Sequence, residues 1–441
     1  MNFQVSSPHT EVTHARVLAI AGPMTLASIT TPLLGIVGTA VIGRLGQAQL
    51  LGAVAIAGVV FDCMFWLFGF LRMGTVALTA QALGARDVAE ERAVLARALL
   101  IAAALGAALI LLQLPLAYAA FALMGASDDV TAAAKTYFAI RIWSAPFALA
   151  NYALLGWLVG LARATSALAL QIAINVVNVA VTAWLVLMLD FGVAGAALGA
   201  LVAEASGTAA GILMALRIVH ADSLSWATVL DREKLIRMVV VNRDILLRTA
   251  ALIAAWGFFA AQGARSGDVV LAANSVLHNL VLMGCFFLDG FASAAEQLCG
   301  RAVGARDPRG FGRAARLSLG WGFGFGVAAT LVFILAGAWL IALMTTSPEV
   351  RIVAGQFLVY AALTSVTGVF AFGYDGIYIG ATWTRDMRNL MLASLLIYLA
   401  VWWLLRPYGN AGLWISILIF LAARGGLQAA RYPALARATF K

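Results

Sequence analysis

Charged residues are scarce in this sequence of 441 residues. Asp, Glu, Lys and Arg together make up 11% of the chain, whereas 63% of its residues are hydrophobic. A soluble globular protein carries about 25% charged residues, because its surface has to be hydrated. The shortage of charge therefore excludes a soluble globular protein and indicates a membrane protein whose main surroundings are the lipid bilayer.

Motifs of soluble enzymes are also missing. The three cysteines, Cys63, Cys285 and Cys299, lie inside apolar runs without the spacing of a metal site. The sequence has no phosphate-binding P-loop, no HExxH motif and no segment large enough for a separate ATP-binding domain. We therefore expect no enzymatic activity, no metal and no organic cofactor, with H⁺ or Na⁺ as the coupling ion of any transport.

Basic residues give the chain its net charge of +9. The arginines lie in short breaks between apolar runs instead of on one soluble basic face, so nucleic acid is not an expected partner. Placing the amino terminus inside puts most Lys and Arg residues on the same side of the membrane. The pattern predicts a multi-pass protein of a bacterial inner (cytoplasmic) membrane with both termini in the cytoplasm.

Long apolar runs fill most of the sequence. A helix needs about 20 apolar residues to cross the hydrocarbon core, and it satisfies its own backbone hydrogen bonds there. We predict an all-α membrane protein with twelve transmembrane helices, near residues 17–42, 51–80, 93–117, 131–160, 165–189, 193–217, 245–264, 268–299, 314–345, 352–380, 389–406 and 411–432. The polar stretch 218–243 is interpreted as a cytoplasmic linker that contains an interfacial helix.

Three short motifs occur twice, in the same order. ALGARD at 82–87 is repeated as AVGARD at 302–307, GWLVG at 156–160 as GIYIG at 376–380, and GVAGAALG at 192–199 as GNAGLWIS at 409–416. Six spans on each side of the linker start on the same side of the membrane, which is a design of transporters built from parallel repeats. The repeats predict two pseudo-symmetric six-helix lobes, 1–217 and 244–441, around a central site.

Ionisable side chains inside the predicted spans mark that site, because each is costly in hydrocarbon unless it is paired or hydrated. Burial disfavours the charged form of a carboxyl group, which suits a proton-coupled carrier. Arg72 and Arg141, the only intramembrane bases in this interpretation, are expected to form structural ion pairs, and Pro32 in the first span is a candidate hinge. The candidate substrate-binding and ion-coupling residues are Glu204, Asp375, Asp289, Glu296, Asn175, Asn178 and Thr182.

Five longer stretches resemble a known transporter family. They are ITTPLLGIVGTAVIGRLG (29–46), FGFLRMGTVALTAQALGARD (68–87), IRIWSAPFALANYALLGWLVG (140–160), LDGFASAAEQLCGRAVGARD (288–307) and DGIYIGATWTRDMRN (375–389). Over essentially its whole length the chain resembles the DinF branch of the multidrug and toxic compound extrusion (MATE) family. The resemblance implies two six-helix lobes around a cleft with alternating access, and antiport of organic, often cationic compounds against protons or sodium ions.

Two acids that the family usually carries are absent. The family's first span usually has an acid where this sequence has Gly38, and its fifth span often has one where this sequence has Thr182. Of the family's paired positions in the fifth span, only Asn178 is retained. Ion coupling would then depend on other carboxylates, and Glu204 in the first lobe and Asp375 in the second are the candidates.

Three interpretations of function stay open at this stage. The first is a monomeric secondary exporter that takes small organic, cationic or lipophilic substrates in exchange for H⁺ or Na⁺. The second is a flippase for lipids or lipid-linked precursors, which additional cationic residues in the cavity would favour. The third is a homologue with altered transport and lost ion coupling, which Gly38 and Thr182 would explain.

Overall fold

The computed structural model describes residues 11–44, 48–124, 128–218 and 225–441. Within these ranges the chain is almost entirely helical and contains no β-strand. The helices are α1 (His14–Gly43), α2 (Ala48–Leu67), α3 (Phe70–Ala85), α4 (Val88–Leu111), α5 (Gln113–Met124), α6 (Asp128–Arg141), α7 (Ala145–Gly160), α8 (Ala164–Leu187), α9 (Gly192–Ile218), α10 (Trp226–Val229), α11 (Arg232–Arg265), α12 (Asp268–Gly304), α13 (Pro308–Met344), α14 (Pro348–Gly380), α15 (Thr384–Leu405) and α16 (Gly409–Thr439).

Ten helical stretches in the described residues are long and apolar enough to cross a membrane. The last of them, Thr384–Thr439, contains α15 and α16, joined by a 3₁₀ turn at Arg406–Tyr408. Helix α1, with 30 residues, adds one more. The prediction of an all-α architecture with twelve transmembrane helices is confirmed.

Three spans in the first half of the chain are interrupted. Breaks separate α2 from α3 and α4 from α5, and a 3₁₀ turn at Ile142–Ser144 separates α6 from α7. Pro115 and Pro146 explain two of these interruptions, because proline has no N–H to donate and its ring collides with the carbonyl four residues earlier. The corresponding spans of the second half, α12, α13 and α14, are continuous.

The predicted linker 218–243 contains the start of a long helix. Oδ1 of Asp231 accepts hydrogen bonds from the backbone N–H groups of Glu233 at 3.0 Å and Lys234 at 3.2 Å, and this cap starts α11. Residues 232–243 are therefore the first turns of the seventh span, and the predicted boundary between 243 and 244 falls inside α11. Helix α10 has only four residues, and 219–224 lie outside the described residues.

The end of the bundle that carries residues 225–231 is named the linker end. Helices α3, α7, α12 and α14 finish there, each followed by a residue other than glycine in the left-handed region. These residues are Arg86, Ala162, Arg306 and Thr382. They occupy equivalent positions in the sequence repeats, so the two halves share the same local geometry at this end.

Glycines of the repeated motifs bring the amino-terminal lobe (α1–α9) and the carboxy-terminal lobe (α11–α16) into contact. A Cβ atom on Gly84 would overlap the carbonyl oxygen of Arg301, and one on Gly304 would overlap that of Gln81. The backbones of α3 and α12 therefore touch where they cross, as small residues at a helix interface allow. Arg301 and Gln81 are themselves equivalent positions of the repeats, so the crossing is pseudo-symmetric.

Two glutamine side chains form hydrogen bonds between the lobes near this crossing. Nε2 of Gln81 donates to the carbonyl of Gly380 at 2.8 Å, and Nε2 of Gln297 donates to the equivalent carbonyl of Gly160 at 3.3 Å. Further hydrogen bonds join described residues of the two lobes in the half of the bundle next to the linker end, among them the one from Nζ of Lys234 to Oε2 of Glu90 at 2.7 Å. The lobes are thus closed against each other at the linker end.

Candidate substrate and ion-coupling site

The side chain of Glu204 lies half-buried in the amino-terminal lobe, where α9 packs against α7 and α8. Nδ2 of Asn151 in α7 donates to Oε2 of Glu204 at 2.6 Å, and the hydroxyl of Thr208 donates to Oδ1 of Asn151 at 3.1 Å. Among the residues with described positions, no basic group lies within 4.0 Å of this carboxylate. Glu204 is therefore held by a neutral donor.

Small residues in α9 make this arrangement possible. A Cβ atom on Gly207 would overlap Ile174 of α8, and one on Gly199 would overlap the hydroxyl of Thr182. Close approach of α8 and α9 leaves Thr182 4% exposed, and its hydroxyl has no hydrogen-bond partner in the described structure. Thr182 thus serves the packing of these two helices.

The remaining polar candidates of the first and fifth spans are less enclosed. Asn178 is half-buried, and Oδ1 of Asn175 accepts a hydrogen bond from Gln171 at 3.1 Å. A Cβ atom added to Gly38 would meet no heavy atom of a described residue within 4 Å. Pro32 belongs to α1, and its side chain lies outside the described residues.

Arg141 ends α6 beside the carboxylates of the amino-terminal lobe. Its Cζ atom lies 5.5 Å from the ring centre of Phe61, and its charge interacts with those of Asp62 and Glu204. The expected structural ion pair is absent, because no carboxylate oxygen of a described residue lies within 4.0 Å of this guanidinium. Asp62 is exposed, which makes it an accessible acid of this lobe.

Arg72 of α3 interacts with two acids of α12. Its charge acts on both Asp289 and Glu296. The structure forms no ion pair within 4.0 Å at Arg72, again for the described residues, so this structural-pair prediction also differs from the structure. Glu296 is 3% exposed, and its Oε1 has no hydrogen-bond donor among them.

Asp375 of α14 is surrounded quite differently from Glu204. Its Oδ2 forms ion pairs with both Arg248 of α11 and Arg424 of α16, and its Oδ1 accepts a hydrogen bond from Nε2 of Gln428 at 2.7 Å. All three charged residues are buried, with exposures of 3% for Asp375, 5% for Arg248 and 1% for Arg424. Asp375 is thus the shared counter-ion of two arginines.

Sequence reasoning missed both of these arginines. The statement that Arg72 and Arg141 are the only intramembrane bases is wrong, because Arg248 and Arg424 are buried in the carboxy-terminal lobe. The signal was available, since Arg248 falls within the predicted span 245–264 and Arg424 within 411–432. They were instead counted with the basic residues of the flanking loops.

The carboxyl groups of the two lobes can bind protons or form ion pairs with basic groups. Among the described residues, no group of three or more His, Cys, Asp or Glu side chains could hold a metal ion. In the amino-terminal lobe, the charge of Arg141 acts on both Asp62 and Glu204 without a direct ion pair to a described residue. The carboxy-terminal lobe presents a carboxylate neutralised by guanidinium groups. A carboxylate that lacks an ion pair can take up a proton more readily than one that shares two cations.

Comparisons with known proteins match this architecture. The MatE family model matches residues 23–184 and 258–404. The chain is 37% identical over 412 residues to the DNA damage-inducible protein F of Escherichia coli, covering 92% of this chain and 89% of that protein. It is 27% identical over 431 residues to the probable multidrug resistance protein NorM of Caulobacter vibrioides, covering 92% and 88%.

A solved structure shows the same fold. It is the outward-facing conformation of a multidrug resistance MATE family transporter of the MOP superfamily, with a TM-score of 0.87 and 19% sequence identity. The match covers 97% of this chain and 96% of that one. At this level of identity the likeness concerns the fold alone.

Proposed function

The chain belongs to the MatE family of multidrug and toxic compound extrusion transporters, and from that membership we propose that it exports organic compounds by antiport against a proton gradient. The observation that carries the proposal is the carboxyl group of Glu204, which receives a hydrogen bond from Asn151 at 2.6 Å and has no ion pair with any described residue. Protonation removes its charge without leaving a buried cation behind. Glu204 can therefore alternate between a proton and a cationic substrate.

Alternating access is supported by the contacts between the lobes. They close the linker end through the crossing of α3 and α12, where Gly84 and Gly304 leave no space for a side chain. Half-buried Glu204 lies in the middle of α9, away from this crossing. A proton on Glu204 then favours one lobe arrangement over the other, and the ion gradient supplies the free-energy difference that such a population shift requires.

Protons are favoured over Na⁺ as the coupling ion. Sodium sites of transporters are built from backbone carbonyls and other oxygens that surround the ion. The described neighbour that contacts the Glu204 carboxylate is instead the amide N–H donor of Asn151. This donor is compatible with a carboxylate that gains and loses a proton.

The bacterial inner membrane is the proposed location. Four arginines lie within two residues of helix termini at the linker end, namely Arg86, Arg163, Arg306 and Arg385. The positive-inside rule therefore assigns that end to the cytoplasm. Both termini then lie in the cytoplasm, and a closed linker end corresponds to a cavity open to the other side. We propose a monomer in the bilayer, without enzymatic activity and without a cofactor.

Transport in proteoliposomes tests the proposal. Under separate proton and sodium gradients, a lipophilic organic cation should move only with the proton gradient, and Glu204→Gln should abolish substrate-driven proton movement. Glu349→Gln is the matched control, because Glu349 is an exposed residue in the first turn of α14. Undiminished coupling in the Glu204 variant would reject the assignment, and uncoupled substrate movement in the wild type would support the homologue with lost coupling.

A flippase for lipids or lipid-linked precursors is a second candidate. The buried residues Arg248 and Arg424 support this candidate, because their cationic groups could bind an anionic lipid headgroup. Vesicles that contain a fluorescent anionic lipid would distinguish the two functions. Protein-dependent loss of leaflet asymmetry, together with no export of water-soluble cations, would favour the flippase.

A further inference from the structure

Two buried arginines of the carboxy-terminal lobe share a single negative charge. Arg248 and Arg424 both form ion pairs with the same oxygen, Oδ2 of Asp375. The other oxygen, Oδ1, is occupied by the neutral donor Gln428. Direct pairing therefore leaves these three residues with one positive charge in excess, inside a lobe surrounded by lipid.

Several donors of the two guanidinium groups remain unused. Nε of Arg248, and Nε and Nη1 of Arg424, have no hydrogen-bond acceptor in the described part of the protein. A buried donor without an acceptor is unfavourable, and more so when the group is charged. A salt bridge with a purely structural role would be expected to satisfy these groups, because the guanidinium presents five donors in a fixed fork.

The surroundings of the pair combine charge with apolar surface. Asp289 of α12 interacts electrostatically with Arg248, Arg424 and also Arg72, but it forms no direct ion pair with any of them among the described residues. The guanidinium of Arg424 lies 5.4 Å from the ring centre of Phe372, and its charge also acts on Cys285. The pair is thus bordered by an aromatic ring.

We propose that Arg248 and Arg424 bind the anionic group, a carboxylate or phosphate, of an amphiphilic organic substrate in the carboxy-terminal lobe. The unused N–H groups match the oxygens of such a group, for which the arginine fork provides two parallel hydrogen bonds. Asp375 is the resident counter-ion that holds the arginines when the site is empty. The inference rests on the transport function proposed above and extends its substrates from cations to anionic and zwitterionic compounds.

Binding to the purified full-length protein in detergent tests this inference without an ion gradient. The probes are 1-naphthoate, 1-naphthylmethylammonium, which has a similar apolar body and the opposite charge, and inorganic phosphate. We expect saturable naphthoate binding that weakens about tenfold or more in Arg248→Gln and in Arg424→Gln. Arg388→Gln is the control, because Arg388 forms its ion pair with Asp244 at 2.7 Å and not with Asp375. The affinity of this variant for naphthoate should equal that of the wild type.

Asp375→Asn should change naphthoate affinity in the opposite direction to the arginine variants. This test does not require the arginine variants to fold. Removing the competing carboxylate should raise naphthoate affinity about tenfold, and naphthoate should raise the melting temperature of this variant more than that of the wild type. Equal naphthoate affinity in the wild type and all three variants would overturn the inference. Binding of phosphate without naphthoate, or of the ammonium probe alone, would overturn it as well.

The proposed function and this inference can fail separately. Glu204→Gln should lose proton coupling and keep naphthoate binding, because Glu204 lies in the other lobe. Normal proton-coupled export of cations combined with no naphthoate binding would reject only the anion site. Naphthoate binding without coupled transport would reject only the antiport proposal.

Discussion

The two lobes of this transporter carry acidic side chains in opposite surroundings. In the amino-terminal lobe, Glu204 accepts a hydrogen bond from the amide of Asn151 and has no ion pair within the described chain. In the carboxy-terminal lobe, Asp375 holds two buried arginines. A carboxylate between two cations stays charged, whereas one that meets only a neutral donor can be neutralised by a proton. The pseudo-symmetric halves have therefore diverged in electrostatics while keeping the same backbone design.

The difference underlies the distinct tasks that we propose for the two acids. We propose that Glu204 exchanges protons, and that Asp375 neutralises the arginines and yields them to an anionic ligand. The sequence offered both acids as equivalent coupling candidates. The predictions below test this division of roles, starting with the change expected to have the largest effect.

Asp375→Ala should cause the largest loss of stability, because it leaves Arg248 and Arg424 buried without their counter-ion. Breaking a buried ion pair by removing one partner costs about 3–5 kcal/mol. Asp386→Ala is the control, since Asp386 pairs with Arg431 at 2.9 Å in a partly exposed position and should cost at most about 1 kcal/mol. Thermal unfolding in detergent measures both variants. Equal melting temperatures for the two variants would contradict the counter-ion role.

Gly84→Val and Gly304→Val should each open the linker end, because neither position has room for a side chain. Overpacking of this kind costs about 1–3 kcal/mol. Cys299 is buried and can report the opening once Cys63 and Cys285 are replaced by serine. Both variants should increase the labelling rate of Cys299 to a similar extent.

Gly320→Val is the control for this comparison, since a Cβ atom there meets no heavy atom within 4 Å. Its labelling rate should match that of the parent protein. Opening by only one of the two tight-glycine variants would show that the lobes do not contribute equally to closure.

Asn151→Leu should affect the amino-terminal lobe, because it removes the donor that contacts the Glu204 carboxylate. Loss of a hydrogen bond to a buried charged group costs about 1.5–3 kcal/mol. The melting temperature should fall, and proton coupling should weaken. Asn279→Leu is the control, since Asn279 is exposed and its amide donates to the carbonyl of Ser275 at 3.2 Å. No difference between the two leucine variants would argue against a special environment at Glu204.

Gly38→Asp should have the smallest effect on stability. A Cβ atom at this position meets no heavy atom of a described residue, and the added carboxyl group can avoid the cost of a charge in hydrocarbon by taking up a proton. Gly and Asp differ by only about 0.5 kcal/mol in helix propensity. The new acid should change resistance to a lipophilic cation in a sensitive host. Gly38→Asn has the same size without a titratable group and should leave resistance unchanged; the same resistance in both variants would speak against an added coupling acid.

Hydrophobic length, the repeats and the family resemblance were all readable from the sequence. Each transmembrane helix depends on a local run of apolar residues, so the spans could be recognised one at a time. The repeats around Gly84 and Gly304 indicated two similar lobes before any contact was known. The start of α11 inside the polar stretch 218–243 was less evident, because it depends on the cap formed by Asp231 and not on apolar residues.

The sequence alone thus determined that the protein lies in a lipid bilayer, that it is helical and that its two halves are repeats. Hydrophobicity and repetition can be recognised in the order of residues along the chain. Only the tertiary structure decided which charges meet. The ion-paired residues Arg248, Asp375 and Arg424 belong to three helices that are far apart in the sequence. The residues around each of them do not indicate that it contacts the other two. Arg72 and Arg141 do not form the expected ion pairs with any described residue, since pairing depends on how helices rotate and cross. The environment that separates Glu204 from Asp375 arises from packing between helices, and packing is a property of the folded chain.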